Sequence, residues 1–139
     1  MPPKSKNEKS PQPLQQHNQL FGRYGEHQAS QFLFEKGYQI MHTNFALKGG
    51  EIDIVALDPV QDEVVFVEVK TRGSDDFGHP SKAVHQKKTR NLKRTALYYI
   101  DRFQIENDYR FDIITISPYG LEHFENITFY RKKTKKFTF

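Results

Sequence analysis

The hydrophobic pattern of this chain predicts an α/β fold in the element order α-β-β-β-α-β-β, a mixed sheet flanked by helices. Three observations carry that expectation. An amphipathic segment with helical spacing ends at Gly37. Three short runs rich in β-branched residues then follow between Tyr38 and Lys70, joined by connections short enough for hairpins. A second amphipathic segment, longer than the first, precedes two further strand-like runs.

The first helix is expected from about Phe21 to Lys36, because Phe21, Tyr24, Ala29, Phe32 and Leu33 fall on one face and Gly37 supplies a stop. At 100° per residue, Glu26 lies about 20° beyond Leu33, on the border of that face. Strands are expected at Tyr38–Asn44, at Glu51–Leu57 after the Gly49-Gly50 turn, and at Val64–Lys70. A loop with Gly73, Gly78 and Pro80 leads to the second helix, Ser81 to Phe103. Its core stripe is Leu92, Ala96, Tyr99, Ile100 and Phe103, with Lys87, Arg90 and Arg94 together on the other side. Strands at Arg110–Ile116 and His123–Tyr130 flank a Ser117-Pro118-Tyr119-Gly120 turn.

Composition bounds the function. A length of 139 residues suits one domain with tails. Residues 1–19, with Pro2, Pro3, Pro11 and Pro13 among polar neighbours, are too poor in apolar side chains to offset the entropy of ordering, so a disordered tail is expected there. The domain proper is 20–130, and 131–139 is a basic tail. The absence of cysteine excludes disulfides, thiol nucleophiles and Cys-ligated zinc, and fits a reducing compartment. No stretch is long and apolar enough for a membrane span, and no apolar run follows Lys4, Lys6 and Lys9, so the expectation is a soluble cytoplasmic protein without membrane contact. The net charge of +4 comes from the tail: without Arg131, Lys132, Lys133, Lys135 and Lys136, 16 bases face 17 acids, a net of −1. Between His79 and Ile100 there are six bases (Lys82, Lys87, Lys88, Arg90, Lys93 and Arg94) and no acid, whereas acids concentrate between Glu51 and Asp76. Basic surface around an acidic centre suits a polyanion held over a cation. Solvated charged faces would give the same runs.

The acidic centre carries the chemistry. Strand alternation sets Asp53 on a face with Glu51 and Val55, while Ile52, Ile54 and Ala56 point the other way. In the next strand Glu68 and Lys70 share a face with Val64 and Phe66, opposite the apolar Val65, Val67 and Val69. If the two strands pair, Asp53 and Glu68 meet near one edge. Two carboxylates are hard oxygen ligands suited to Mg²⁺ or Mn²⁺, and a neighbouring lysine can orient a water or stabilise a phosphate. A salt-bridged cluster capping strand ends is the plain structural alternative. The six histidines show no paired metal-ligand spacing.

Gly49-Gly50-Glu51-Ile52-Asp53, followed by Glu68-Val69-Lys70, resembles the D…(D/E)xK signature of restriction-endonuclease-like nucleases. Together with Gly22-Arg23-Tyr24-Gly25-Glu26, Thr71-Arg72 and Phe77-Gly78, these segments resemble the YraN-like bacterial proteins, related in fold to archaeal Holliday-junction resolvases. The resemblance spans about Phe21 to Phe129. It implies a restriction-endonuclease-like (PD-(D/E)XK) fold, Asp53 and Glu68 as metal ligands with the Val69 carbonyl, Lys70 as catalytic lysine and Glu26 as helical acid. Ile52 stands where the superfamily's name has proline. The implied function is Mg²⁺- or Mn²⁺-dependent hydrolysis of phosphodiester bonds in DNA, including branched DNA. The basic residues Lys87, Lys88, Arg90 and Arg94 of the second helix are read from their spacing as nucleic-acid contacts, or as the wet side of that helix. Junction cutting would call for a homodimer. A nuclease-fold module that binds nucleic acid without cutting it is the alternative, and a protein-docking role for the basic tail is a third.

Overall fold

The computed structural model describes residues 13–72 and 86–127, with side chains described for 23–72 and 91–127. The elements are α1 (Pro13–Glu35), β1 (Gln39–Leu47), β2 (Gly50–Asp58), β3 (Glu63–Thr71), α2 (Gln86–Arg102), β4 (Asp108–Ser117) and β5 (Gly120–Phe124). The strands form one five-stranded sheet in the order β1-β2-β3-β4-β5. All neighbours are antiparallel except β3 and β4, which run parallel because α2 carries the chain back between them. The expected α/β order therefore holds.

Several boundaries differ from expectation. α1 begins at Pro13, not Phe21, so residues 13–19 of the expected tail are helix and only 1–12 lie outside the described residues. Proline is suited to a first helical position, where its missing N–H costs no hydrogen bond. β5 ends at Phe124, and the rest of the strand expected to reach Tyr130 falls partly outside the described residues, as does all of the 131–139 tail. Both helices stop by the same device. Gly37 (φ 97°) donates to the Phe34 carbonyl and Tyr38 to that of Leu33, a Schellman closure. α2 repeats it with Gln104 (φ 52°) in the glycine position, donating to Asp101 while Ile105 donates to Ile100.

The helices cover opposite faces. Ala29 and Leu33 of α1 pack on Ile54, Ala56, Val65, Val67, Ile114 and Ile116. Leu92, Ala96 and Tyr99 of α2 pack on Ile52, Val55, Val64, Phe66 and Phe111. The α1 face is rotated from the expected one: Tyr24 is 57% exposed, and Gly25 is buried instead. A Cβ on Gly25 would collide with the Thr71 methyl, so this glycine lets α1 press onto the end of β3. The rotation draws Glu26 to a half-buried position.

Alternation also fails in β2. Ile52 lies beneath α2 with Val55, whereas Ile54 and Ala56 lie beneath α1. The expected common face for Ile52, Ile54 and Ala56 is thereby corrected. The switch falls at Asp53, beside Asn44 of β1, whose left-handed backbone (φ 53°) turns its own strand in step. His42 and Phe45, three apart, accordingly both reach Tyr99.

At the β2–β3 hairpin end, buried Arg110 stitches the α1 face of the sheet. It donates to Asp58 (2.8 Å), to Asp112 (3.0 and 3.2 Å) and to the Tyr38 hydroxyl (2.9 Å). His123 Nε2 lies 2.8 Å from Asp112. Burial acts to raise the Asp58 pKa, but hydrogen bonds from Arg110 and the Gln61 and Val60 N–H groups outweigh it and hold the carboxyl below its ordinary range.

Candidate active site

The opposite end of the β2–β3 pair is open. Paired residues run from Asp58↔Glu63 to Ile54↔Val67 and no further, so the strands diverge just where Asp53 and Glu68 would face one another. Into that fork Asp53 turns its side chain: Oδ2 accepts the Val69 N–H at 2.8 Å, standing where a ladder carbonyl would otherwise be. In an extended strand the N–H and C=O of one residue leave on the same edge. The Val69 carbonyl consequently faces the fork as well.

Glu68, 7% exposed, points to the α2 side, and Lys70 Nζ lies 4.0 Å from its Oε1. A cavity of about 550 Å³ opens there. Asp53, Glu68, Val69 and Lys70 line it along with Glu51, with Leu47, Gly49 and Gly50 at the β1–β2 turn, and with Asn91 and Leu92 of α2. The Gly49-Gly50 turn is what lets α2 close one side. A Cβ on Gly50 would meet the Thr95 hydroxyl and come within 3.1 Å of the Asn91 carbonyl, and one on Gly49 would stand 3.1 Å from an Arg94 guanidinium nitrogen.

Asp53 is strained electrostatically. Burial raises its pKa most, the Val69 hydrogen bond opposes this, and the charges of Glu26, Glu68 and Glu51 add to the rise, bringing it to about 7. Three further acids thus act on Asp53, and a cation there would relieve their repulsion.

Asp53, Glu68, Val69 and Lys70, all singled out from sequence, come together in this cavity. Glu26 does not line it but is near enough for its charge to act on Asp53. Arg94 is exposed at the Gly49 edge, while Lys87, Lys88 and Arg90 belong to α2 with side chains outside the described residues. Two residues were missed. Glu51 is on the rim, and its alternation with Asp53 was a usable signal. Asn91 lines the cavity, and only the packing of α2 on Gly50 reveals it.

The donor set bears on whether a metal fits. Among the described residues no group of three His, Cys, Asp or Glu side chains is gathered to hold an ion. A site here would take two carboxylates and the Val69 carbonyl, leaving room for water and phosphate, as hard divalent cations tolerate. Oxygen donors with excess negative charge fit Mg²⁺ or Mn²⁺.

Residues 25–116 match the uncharacterised protein family UPF0102. The chain belongs to this family. A UPF0102 protein of Thermodesulfovibrio yellowstonii is 44% identical over 108 residues, covering 78% of this chain and 95% of its own. One from Caldicellulosiruptor saccharolyticus is 47% identical over 96 residues (68% and 80%), and one from Phocaeicola vulgatus 39% over 116 residues (81% and 93%). The resemblance to YraN-like proteins thus holds at the level of the family. The UPF0102 match contains Glu26, Asp53, Glu68, Lys70 and Arg94 and omits the 131–139 tail. No described helix is long and apolar enough to cross a membrane.

Proposed function

We propose that this UPF0102 protein is a Mg²⁺- or Mn²⁺-dependent nuclease of the restriction-endonuclease-like superfamily, hydrolysing phosphodiester bonds in DNA, with branched or junction DNA as the preferred class. The observation that supports it most is the fork itself: Asp53 held at 2.8 Å from the Val69 N–H, beside Glu68 and Lys70, on one cavity. Lys70 stands 4.0 Å from Glu68, and the charges of Glu26, Glu68 and Glu51 all act to raise the pKa of Asp53.

Asp53, Glu68 and the Val69 carbonyl would hold the ion. When bound, it supplies Lewis acidity, easing deprotonation of the attacking water and neutralising charge that develops on the phosphate. Lys70 offers an ammonium donor to a phosphate oxygen. Glu26, from α1, is the carboxylate suited to orienting a water on the far side of Asp53. Arg94, at the Gly49 edge, contacts a neighbouring phosphate; Lys87, Lys88 and Arg90 belong to the same helix. Paired incisions across a junction would require two copies of the site, hence a homodimer.

The test is cleavage of labelled branched, flapped, duplex and single-stranded DNA by the full chain with each metal. Wild type should cut at least the branched class. Asp53→Ala and Glu68→Ala should each lower the rate by about 100-fold or more with unchanged circular dichroism. A wild type that cuts none of these with either ion sinks the reading. Salt-sensitive binding without cutting would then leave a nuclease-fold binding module.

A further inference from the structure

A line of side chains leads out of the cavity along α2. Asn91 lines the cavity, Arg94 follows against Gly49, Tyr98 is one turn on and Arg102 the next. Spacings of three and four put them on one stripe, and Asn91 to Tyr98 is about 10 Å along the axis. Tyr98 is 48% exposed and, among the described residues, has one aromatic neighbour. The Tyr98 ring stacks against Phe45 of β1, with centroids 6.4 Å apart and the planes tilted by 28°. Phe45 is itself held edge-on by Tyr99 at 5.0 Å. Phe45 pairs with Ile52, the residue before Asp53, and the next residues of β1, Ala46 and Leu47, line the cavity.

A half-exposed aromatic face, stacked on Phe45, therefore stands about 10 Å along α2 from the cavity wall, flanked by exposed Arg94 and Arg102. α2 holds six bases against one acid, Asp101. Apolar protein partners do not call for that charge; a single nucleic-acid strand calls for both features, cations for phosphates and a π-face for a base. We infer that Tyr98, backed by Phe45, is a stacking platform for an unpaired base next to the phosphate that a cation at Asp53 and Glu68 would hold. This rests on the nuclease reading and deepens it: the substrate is DNA with an unpaired nucleotide beside the cut, as at a flap or branch.

The experiment measures binding of the full chain, in EDTA and again with Ca²⁺, to flapped and single-stranded DNA carrying 2-aminopurine at one unpaired position at a time. Wild type should quench the probe at one position. Tyr98→Leu should abolish that quenching and weaken binding by about 5- to 150-fold, the range of one base–aromatic stack. Tyr98→Phe, which keeps the π-face, should retain both. Arg94→Ala should keep the quenching and make the salt slope shallower by about 1. Matching thermal melts for wild type and Tyr98→Leu exclude a folding defect, and Tyr98→Phe serves if they differ. Quenching and affinity unchanged in Tyr98→Leu would overturn the platform, as would bound wild type that quenches nowhere. Both results leave metal-dependent cleavage standing, and loss of cleavage in Asp53→Ala tests that separately. A wild type that binds no DNA overturns the inference outright. A Tyr98→Leu protein that only loses self-association would instead make the patch a contact between copies.

Discussion

Asp53 is the residue on which the site turns. Its carboxyl is raised to about 7, mainly by burial and then by Glu26, Glu68 and Glu51, against an ordinary value of 3.8. Between those values the folded chain holds a proton that the unfolded chain has released, so stability falls as pH rises through that window and levels off above about 7. Metal-free Asp53→Asn lacks this titration and keeps an acceptor for the Val69 N–H. It should therefore be more stable than wild type at pH 8, by at most about 4 kcal/mol at roughly 1.4 per pH unit, the gain shrinking to nothing near pH 4. Urea unfolding across pH checks it, and a gain independent of pH would refute the electrostatic account. The pairing of an acid with Glu-x-Lys was legible in the sequence, because chemistry is written in residue types. The direction of Asp53 was not. Strict alternation would set its side chain on a sheet face, and only the switch between Ile52 and Ile54 turns it into the fork.

The elements show how close approach overrides propensity. A glycine within a helix ordinarily destabilises it by about 0.5–1 kcal/mol relative to alanine. Gly25 is the reverse case, because its missing Cβ admits the Thr71 methyl and brings α1 onto β3. Gly25→Ala should therefore destabilise by about 1–3 kcal/mol, read by chemical denaturation. It should also weaken any pH effect that Glu26 exerts on Asp53, since Glu26 rides on the same turn. A more stable Gly25→Ala protein would mean that α1 does not sit so close. Periodicity revealed α1 as a helix and put Ala29, Phe32 and Leu33 on its packed face, but it favoured bulky Tyr24 over small Gly25 there, because apolar size says nothing about the distance between backbones. The end of α2, expected at Phe103, falls at Arg102, where Gln104 adopts the left-handed conformation that glycine marks openly at Gly37.

At the scale of the molecule, the two ends of the sheet do different work. One end is an acidic fork around a cavity; the other is bound by Arg110 to Asp58, Asp112 and Tyr38, joining the segment after α1 to β2 and β4. Arg110→Ala leaves buried carboxylates without their counter-charge and should cost about 3–5 kcal/mol, seen as a lowered urea midpoint. A loss below about 1 kcal/mol would show that water takes over the guanidinium's role. Charge is also a molecular property. Because the chain without residues 131–139 has a net of −1, removing that tail should make the salt slope of DNA binding shallower by up to about 4, and an unchanged slope would assign the phosphate contacts to α2 alone. The α-β-β-β-α-β-β order, the paired-acid motif with its lysine, and the basic helix were all determined by sequence alone, because periodicity and residue chemistry are local. The parting of β2 from β3, the rotation of α1 about Gly25, the alignment of Asn91, Arg94 and Tyr98 with the cavity, and the Arg110 network were decided only by tertiary structure. Each depends on how far apart two segments stand in space, and that distance is set by packing between residues remote in the chain.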